Sequence, residues 1–203
     1  MSKNRNLLLI FTRNPELGKV KKRLAAETGD KAALEIYKFL LKHTAEVTKN
    51  VSADKEVHFS EAIEKGDFWD ESYGKKLQKG NDLGERMKNA FQEGFEQGYN
   101  NIIIIGSDLY DLSSHDLEKA FAALENSDYV IGPAQDGGYY LLGMKSLNST
   151  LFKNKAWSTA SVFEETVRDI EAKKIHVLEE RNDIDHLEDL KAHSELQQLL
   201  AIS

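Results

Sequence analysis

The sequence contains no cysteine, and this absence removes several classes of protein at once. Without thiols there is no disulfide framework, no thiolate zinc site and no cysteine nucleophile, so any bound metal must use oxygen or imidazole ligands. Long apolar runs are also missing: the longest strictly apolar one is Leu7 to Phe11, whereas a membrane-spanning helix needs roughly 20 residues. No small-residue cleavage site follows that run. We therefore expect a soluble, cytoplasmic protein.

Several catalytic motifs are absent as well. The histidines show no His-Glu-x-x-His spacing, no Gly-x-Ser-x-Gly elbow presents a serine, and no Gly-x-Gly-x-x-Gly fingerprint occurs. The loop after the first apolar run is not a P-loop, because Arg13 stands where the first glycine is required and Val20 where Ser or Thr is required. Zinc proteases, serine hydrolases and the common nucleotide-binding folds are therefore disfavoured.

What is present is enough apolar material for a folded core. The 203 residues are 40% hydrophobic and 9% aromatic, and a chain of this length buries roughly 70% of the surface that it exposes when unfolded. We expect one domain spanning residues 1–203. The net charge of −7 disfavours general nucleic-acid binding, which needs a basic face.

Basic residues are nevertheless concentrated near the start of the chain. Residues 1–24 hold seven basic side chains and a single acidic one, Glu16. A compact positive loop suits a small polyanion such as a nucleotide diphosphate. The alternative is a disordered basic start flanking a strand, but the cations from Arg13 to Arg23 follow the first predicted strand rather than the terminus.

The pattern of apolar residues predicts strands alternating with helices. Leu7 to Phe11 and Asn101 to Gly106 are apolar on both faces, which is typical of interior strands of a parallel sheet. Helical spacing follows Asp30, a candidate N-cap, through Lys49, then recurs from Leu83 to Phe95 and after a capping pair, Ser113 and Asp116. Further short strands are predicted at Val57 to Phe59, Tyr129 to Ile131, Tyr139 to Leu142 and Ile175 to Leu178. We expect a three-layer α/β/α fold with a mostly parallel central sheet, in which the strand after the Gly-Gly pair runs in another direction.

Ligands in open α/β sheets bind beyond the carboxyl ends of the strands, so the loops that follow the strands are the expected place for a functional site. The loop from Arg13 to Leu24 leads into a helix, and its cations with the backbone amides at the helix start could hold a diphosphate. Asp108 follows the isoleucine strand and either caps a turn or binds Mg²⁺ or Mn²⁺ together with phosphate oxygens.

Other loops carry a structural and a functional interpretation side by side. Asp136, followed by Gly137 and Gly138, forms either a tight hairpin turn or a base facing a ligand that passes close to the glycines. Asp185 either caps the final helix together with Glu188 or ligates a metal.

Two further segments also carry both interpretations. Gln78 and the glycines that follow it belong to a loop and N-cap or recognise a nucleotide base. Trp157 precedes a helical stretch and is either part of the core or an aromatic wall for a sugar.

Taken in order, these segments resemble a known family over most of the chain, from Leu7 to Leu190. The chain is similar to the small bacterial glycosyltransferase-A-fold nucleotide-diphospho-sugar transferases, including the arsenosugar-biosynthesis type, which are related to the MobA-like nucleotidyltransferases. The resemblance is carried by Gly18-Lys19-Val20-Lys21-Lys22-Arg23-Leu24, Asp82-Leu83-Gly84-Glu85-Arg86-Met87, Gly106-Ser107-Asp108, Gly132-Pro133-Ala134-Gln135-Asp136-Gly137-Gly138-Tyr139-Tyr140, Trp157-Ser158-Thr159 and Asp183-Ile184-Asp185. The chain departs from the family pattern at Lys22, at Leu109-Tyr110 and at His186.

The resemblance implies a role for each candidate residue. It implies that Lys21 and Arg23 hold phosphates, that Gln78 and Gly80 lie near the base, and that Asp108 and Asp185 share the divalent metal. The full set of candidates is Asp136 for catalysis; Arg13, Lys21, Arg23, Gln78, Gly80 and Gly84 for nucleotide and phosphate; Gly137, Gly138, Tyr139 and Trp157 for the acceptor or sugar; and Asp108 and Asp185 for Mg²⁺ or Mn²⁺.

Three functions are consistent with these candidates. The first is a metal-dependent glycosyltransferase that uses a nucleotide-diphospho-sugar and a small acceptor. The second is a nucleotidyltransferase that moves a nucleoside monophosphate from a nucleoside triphosphate to a phosphorylated small molecule. The third is a non-catalytic nucleotide-binding module, suggested by the departures at Lys22 and Leu109-Tyr110.

Overall fold

The computed structural model describes residues 5–64, 66–170 and 174–200. Lys3, one of the basic residues counted above, lies outside the described residues. Within them the chain forms seven β-strands and six α-helices, and two short 3₁₀ turns at Ser149–Phe152 and Glu188–Ala192. The order is β1 (Asn6–Thr12), α1 (Lys22–Thr28), α2 (Asp30–Lys49), β2 (Asp54–Phe59), β3 (Tyr73–Leu77), α3 (Leu83–Glu96), β4 (Asn101–Ile105), α4 (Ser114–Asn126), β5 (Tyr129–Pro133), β6 (Tyr139–Met144), α5 (Val162–Ile170), β7 (Ile175–Val177) and α6 (Ser194–Leu200).

The strands form one sheet in the order β3-β2-β1-β4-β6-β5-β7. All neighbouring pairs are parallel except those made by β6, which runs antiparallel to both β4 and β5. The predicted change of direction after the Gly-Gly pair is therefore confirmed. The strand order reverses between the neighbours β1 and β4. The strands that follow β1 in the chain, β2 and β3, lie on one side of it, whereas those that follow β4 lie on the opposite side of the sheet.

Helices cover both faces of the sheet, as the apolar character of both faces of β1 and β4 requires. Leu8 and Ile10 of β1 pack in one cluster with residues of α2 and α4, whereas Leu7 and Leu9 pack in a second cluster with residues of α3. A third cluster joins α1, α2 and α6. The predicted three-layer α/β/α fold is confirmed.

The predicted elements differ from the observed ones mainly at their ends. The strand predictions agree with β1, β2, β4, β5, β6 and β7 to within three residues at each end. Helix α2 begins at Asp30, but its N-cap is Gly29 at φ 86° and it has no side-chain cap, so the predicted Asp30 cap is wrong by one residue. Strand β3 was not predicted.

The predicted capping pair at the start of α4 is present. Ser113 Oγ accepts a hydrogen bond from the backbone N–H of Asp116 at 3.2 Å, and Asp116 Oδ2 accepts one from the backbone N–H of Ser113 at 3.0 Å. We expect Ser113→Ala to lower the free energy of unfolding by about 1 kcal/mol, because it removes the side-chain acceptor of the Asp116 N–H and the hydroxyl that donates to Asp116 Oδ2. Urea denaturation measures this loss. The exposed neighbour Ser114→Ala is the control, and equal effects of the two changes contradict the prediction.

A polar cluster lies where β2 and β3 face α3. Glu56 Oε1 is 2.9 Å from Lys76 Nζ, and Glu56 Oε2 is 3.2 Å from His58 Nε2. Burial raises the pKa of Glu56, but the hydrogen bonds and charges of His58 and Lys76 outweigh it, so that the pKa is lowered overall. The folded protein therefore holds Glu56 ionised more firmly than the unfolded chain does.

This lowered pKa predicts a pH dependence of stability. The contribution of Glu56 is present above its ordinary pKa of 4.5 and is lost as the pH falls through the lower folded-state value. We expect Glu56→Gln to cost about 1–3 kcal/mol at pH 7, with a difference from the wild type that shrinks below about pH 4. Denaturation midpoints measured from pH 7 to pH 3 test this, with the exposed Glu125→Gln as control. A difference that stays constant with pH contradicts the assignment.

Candidate functional site

The end of β1 is joined to the end of β4 by buried hydroxyl groups. Ser107 Oγ donates a hydrogen bond to Thr12 Oγ1 at 3.2 Å. The Tyr37 hydroxyl of α2 lies 3.2 Å from Thr12 Oγ1 and accepts a hydrogen bond from the backbone N–H of Arg13 at 2.9 Å. These contacts fix the starts of the two loops that follow β1 and β4, at the point where the strand order reverses.

Lys21 is the centre of the site. Its Nζ atom lies 2.9 Å from Asp108 Oδ2 and 3.0 Å from Asp185 Oδ1. The Lys21 side chain is only 3% exposed, whereas the side chains of Asp108 and Asp185 are 39% and 31% exposed. Burial opposes ionisation of Lys21, but the charges of Asp108 and Asp185 outweigh it and raise the pKa of Lys21 above its ordinary range. The first loop, the Asp108 loop and the Asp183-Ile184-Asp185 segment therefore meet at one charged group.

The other basic side chains of this loop face solvent. Arg23 Nη1 lies 3.2 Å from Asp185 Oδ2, and the Arg23 side chain is half exposed. Arg13 and Lys22 are also exposed. Arg23 therefore lies beside the Lys21 ion pairs on a side that is open to solvent, where a dissolved anion can reach it.

More carboxylates gather here than Lys21 balances. The pKa of Asp183 is raised well above its usual range, first by burial and then by the charges of Asp108, Asp185 and Asp136, with Lys21 acting in the opposite direction. Asp183 is a site residue that the sequence analysis missed as a candidate, because nothing in the local pattern distinguishes it from Asp185. Across residues 5–64, 66–170 and 174–200, no group of three or more His, Asp or Glu side chains is arranged to hold a metal ion.

The structure rejects the capping interpretation of Asp185. The 3₁₀ turn at Glu188–Ala192 follows Leu187, which makes no side-chain cap, and the Asp185 carboxylate is directed to Lys21 and Arg23. Asp189 instead accepts hydrogen bonds from the backbone N–H groups of Asp185 and His186, at 2.9 and 2.7 Å. The backbone of the segment is thus held by Asp189, which leaves the Asp185 side chain to form ion pairs.

Asp136 lies in the hairpin turn between β5 and β6. Its Oδ1 atom accepts a hydrogen bond from the backbone N–H of Gly138 at 2.8 Å, which confirms the tight-turn interpretation. Gly137 has φ 85°, and its carbonyl accepts a hydrogen bond from the backbone N–H of Phe163 at 2.9 Å. Asp136 is exposed, and its charge is the smallest of those that raise the pKa of Asp183. Its catalytic role stays a prediction.

Gly84 and Trp157 are in contact. A Cβ atom at Gly84 would lie 2.4 Å from the Trp157 ring, so the indole can pack here only because Gly84 has no side chain. Trp157 is partly buried against the cluster that contains Met87, and the Tyr139 hydroxyl donates to Met87 Sδ at 3.8 Å. Burial raises the pKa of Tyr139 above its ordinary range. These contacts agree with the core interpretation of Trp157, and the contact with Gly84 joins the start of α3 to the segment before α5.

Gln78 is held from several sides. Its Nε2 atom donates to the carbonyls of Thr12 at 3.1 Å and His58 at 2.9 Å, while Arg86 donates to Gln78 Oε1 at 3.4 Å and to the Gly80 carbonyl at 3.0 Å. Gln78 thus ties the ends of β1 and β2 together, and its contact with a base stays a prediction. A cleft of about 360 Å³ opens beside this loop. It is lined by His58, Leu77, Lys79, Arg86, Asn89, Ala90, Gln92, Glu93 and Glu96.

Comparisons with known proteins place the chain in a family. Residues 41–159 match the family DUF2064, which is described as "Uncharacterized protein conserved in bacteria". The chain belongs to this family. No curated protein matches the sequence.

Solved structures similar to this DUF2064 protein share its fold. A candidate nucleotide-diphospho-sugar transferase from Desulfovibrio desulfuricans G20 is 29% identical with a TM-score of 0.87, covering 97% of this chain and 94% of that one. 4-Diphosphocytidyl-2C-methyl-D-erythritol synthase from Anaerococcus prevotii DSM 20548 is 13% identical with a TM-score of 0.61, over 96% of this chain and 97% of that one. A manganese complex of Rv0371c from Mycobacterium tuberculosis H37Rv is 12% identical with a TM-score of 0.52, over 94% and 98%. The expected nucleotide-diphospho-sugar transferase fold of the GT-A type is therefore confirmed.

The DUF2064 match covers only part of the candidate site. Asp108, Asp136 and Trp157 lie inside residues 41–159, whereas Lys21 and Asp185 lie outside them. Lys21 precedes the matched region, and it forms ion pairs with Asp108 inside that region and with Asp185 after it. In the part of this DUF2064 protein that the structure describes, none of the helices has the length and apolar character needed to cross a membrane.

The DUF2064 protein also holds its last segment through an aromatic cluster that sequence analysis did not predict. The Tyr110 ring packs against His43 at 4.9 Å and His193 at 4.6 Å between ring centres, and its hydroxyl donates to Glu195 at 2.9 Å. Tyr110 stands at one of the departures from the family pattern noted above. It fastens α6 to the loop that carries Asp108.

Proposed function

We propose that the protein is a metal-dependent transferase that takes a nucleotide-diphospho-sugar as donor and passes the sugar to a small acceptor. One observation carries this proposal: Lys21 meets Asp108 and Asp185 beyond the ends of β1 and β4, at 2.9 and 3.0 Å. In open α/β sheets this is the place where ligands bind. The 29% identity with a candidate nucleotide-diphospho-sugar transferase, over nearly the whole of both chains, supports the same class.

Asp108 and Asp185 are the residues that would hold Mg²⁺ or Mn²⁺. They offer two partly exposed carboxylates, and Mg²⁺ in enzymes is commonly bound by one or two carboxylates together with substrate phosphates. A metal bound here would stabilise the charge that develops on the departing diphosphate. The same fold accommodates manganese in the Mycobacterium tuberculosis protein.

The cations of the first loop would bind the phosphates. Arg23 is exposed and shares Asp185 with Lys21, and Arg13 is exposed at the start of the same loop. An arginine can hold phosphate oxygens through two parallel hydrogen bonds. Lys21 and Arg23 would stabilise the nucleoside diphosphate as it leaves, which is usually the largest electrostatic contribution in such chemistry. The base would lie towards Gln78 and Gly80, and the neighbouring residues Leu77 and Lys79 line the cleft beside α3.

The acceptor would approach from the β5–β6 turn. In the transfer, the acceptor oxygen forms a bond to the anomeric carbon as the bond from that carbon to the diphosphate oxygen breaks, and Asp136 takes the proton from the acceptor hydroxyl. Gly137 and Gly138 allow the chain to pass close to the sugar. Trp157 and Tyr139, which are both only partly buried against the cluster that contains Met87, would form an apolar wall that excludes water.

A second function is favoured by the same ion pairs. Two carboxylates, Asp108 and Asp185, face one gap, which is the arrangement that the resemblance to nucleotidyltransferases implies. In that reaction a phosphate oxygen of the acceptor attacks the α-phosphorus of a nucleoside triphosphate and pyrophosphate leaves. Lys21 and Arg23 would then stabilise pyrophosphate instead of a nucleoside diphosphate.

One experiment separates these functions. The purified protein is incubated with UDP-, GDP- and CDP-sugars, and with each nucleoside triphosphate and sugar phosphates, in the presence of Mn²⁺ or of EDTA. Release of free nucleoside diphosphate supports glycosyl transfer, and release of pyrophosphate supports nucleotidyl transfer. Nucleotide binding in a thermal-shift assay without turnover of any donor contradicts both and leaves the nucleotide-binding module.

A further inference from the structure

Lys21 occupies the position between the two carboxylates that would hold a metal. Its ammonium group is within hydrogen-bond distance of both Asp108 and Asp185, and its side chain is 3% exposed. Hydrogen bonds to both carboxylates satisfy two of the three donors of the ammonium group. In the free protein a residue of the chain itself therefore already pairs with both carboxylates and offsets part of their charge.

We propose that Lys21 is an internal counter-ion that competes with the divalent cation for Asp108 and Asp185. Metal binding then requires Lys21 to leave the carboxylates, and the phosphates of the donor provide the negative partner to which it moves. This inference rests on the proposed function, because it assigns an order of binding to the same site. The free protein binds Mn²⁺ weakly, and donor and metal bind strongly only together.

The backbone conformation of Lys21 is strained, which agrees with a side chain that is held in place by its ion pairs. Lys21 has φ 46° and ψ 49°, the left-handed conformation that residues other than glycine rarely adopt, and it immediately precedes α1. Such a conformation costs of the order of 1 kcal/mol or more and persists where surrounding contacts hold it. Here the two ion pairs are the contacts that hold the side chain. Losing them to a metal would free a strained segment to move.

The exposures of the three side chains allow the exchange. Asp108 and Asp185 are partly exposed, so an ion from solution can reach them, whereas Lys21 lies beneath them away from solvent. A divalent cation bound to the same two oxygens would place two positive groups in one gap, and their repulsion opposes simultaneous occupancy. Arg23, on the open side, contacts Asp185 alone at 3.2 Å and is far more exposed, so it competes less.

Competition between Lys21 and the metal makes the binding of the donor and the binding of Mn²⁺ cooperative. If a donor phosphate draws Lys21 away, the carboxylates become available to Mn²⁺, and by linkage Mn²⁺ strengthens donor binding by the same factor. The arrangement also keeps the site from holding a divalent cation in the absence of donor.

The test measures Mn²⁺ binding to the full chain without nucleotide. The free Mn²⁺ signal in electron paramagnetic resonance gives the dissociation constant for the wild type, Lys21→Met and Lys22→Met. Lys22 is the matched control, because it is adjacent, exposed and carries the same charge. We expect Lys21→Met to bind Mn²⁺ about tenfold more tightly or better, and Lys22→Met to change the affinity by about twofold or less. Mn²⁺ should also raise the melting temperature of Lys21→Met more than that of the wild type.

Lys21→Gln provides a second variant, since it removes the charge and keeps a polar side chain if Lys21→Met does not fold. Equal Mn²⁺ affinity in the wild type and in the Lys21 variants overturns the inference. If Mn²⁺ is still required for donor turnover in that case, the proposed function stands without it. If Mn²⁺ binds to no variant and has no effect on donor binding, both the inference and the metal-dependent function are overturned.

Discussion

Asp108→Ala is expected to abolish metal-dependent donor turnover while the protein remains folded. Asp108 is the one candidate metal ligand that follows the central strand β4 directly, and its carboxylate reaches the gap filled by Lys21. Removing it takes away one of the two carboxylates that would hold the metal. Stabilisation of the leaving group by a metal contributes several kcal/mol, so we expect a loss of about a thousandfold or more in kcat. The rate of nucleoside diphosphate or pyrophosphate release measures it.

The fold should survive this change because Lys21 keeps Asp185 as a partner at 3.0 Å. Far-UV circular dichroism and the denaturation midpoint check that point. Asp111→Asn is a suitable control, since Asp111 lies three residues further along the same loop and is 3.7 Å from His193, away from the Lys21 ion pairs. Unchanged turnover in Asp108→Ala removes Asp108 from the mechanism.

Gly137→Ala is expected to cost about 3 kcal/mol or more in stability and to reduce activity with it. Two independent reasons act together. Gly137 has φ 85°, which side-chain-bearing residues rarely adopt, and a Cβ atom there would lie 2.2 Å from the carbonyl oxygen of Ala160. Because the obstacle is backbone, relief requires the hairpin turn or the segment before α5 to move. Urea denaturation gives the free energy, and donor turnover at low denaturant gives the functional loss.

The neighbouring glycine gives a matched control for stability. Gly138 does not have a positive φ, and its nearest obstacle is Asp136 Oδ1 at 3.1 Å, at the end of a side chain that can shift. We expect Gly138→Ala to cost clearly less than Gly137→Ala. If the two changes cost the same, then the close approach of Gly137 to Ala160 does not determine the stability of the turn.

The sequence predicts the layer order and the meeting of the loops after β1 and β4, and the reason is physical. Strands that are apolar on both faces, such as Leu7 to Phe11 and the four isoleucines, have to be buried under helices on both sides. The loops that follow them must then emerge at the same edge of a parallel sheet. That reasoning places Lys21 near Asp108 without knowledge of any contact, and the structure puts them 2.9 Å apart.

Features that depend on distant partners were harder to predict. Strand β3 reads Tyr73-Gly74-Lys75-Lys76-Leu77, which has little β character by itself and is held by its parallel pairing with β2. The importance of Asp183 arises from carboxylates far away in the sequence. The role of Gln78 in joining β1 to β2 depends on two carbonyls that only the folded sheet brings within reach. The local sequence pattern around each of these residues does not indicate its distant partners.

The two outer strands of the sheet also affect how the protein behaves at high concentration. An exposed edge strand offers unpaired backbone groups to a second molecule, and proteins discourage such pairing with lysines and very short edges. At one edge, β3 carries Lys75 and Lys76, and Lys75 is held by Asp67 at 2.7 Å. At the other edge, β7 is only three residues long. The lysines of β3 and the shortness of β7 therefore both disfavour aggregation by pairing with a strand of another molecule.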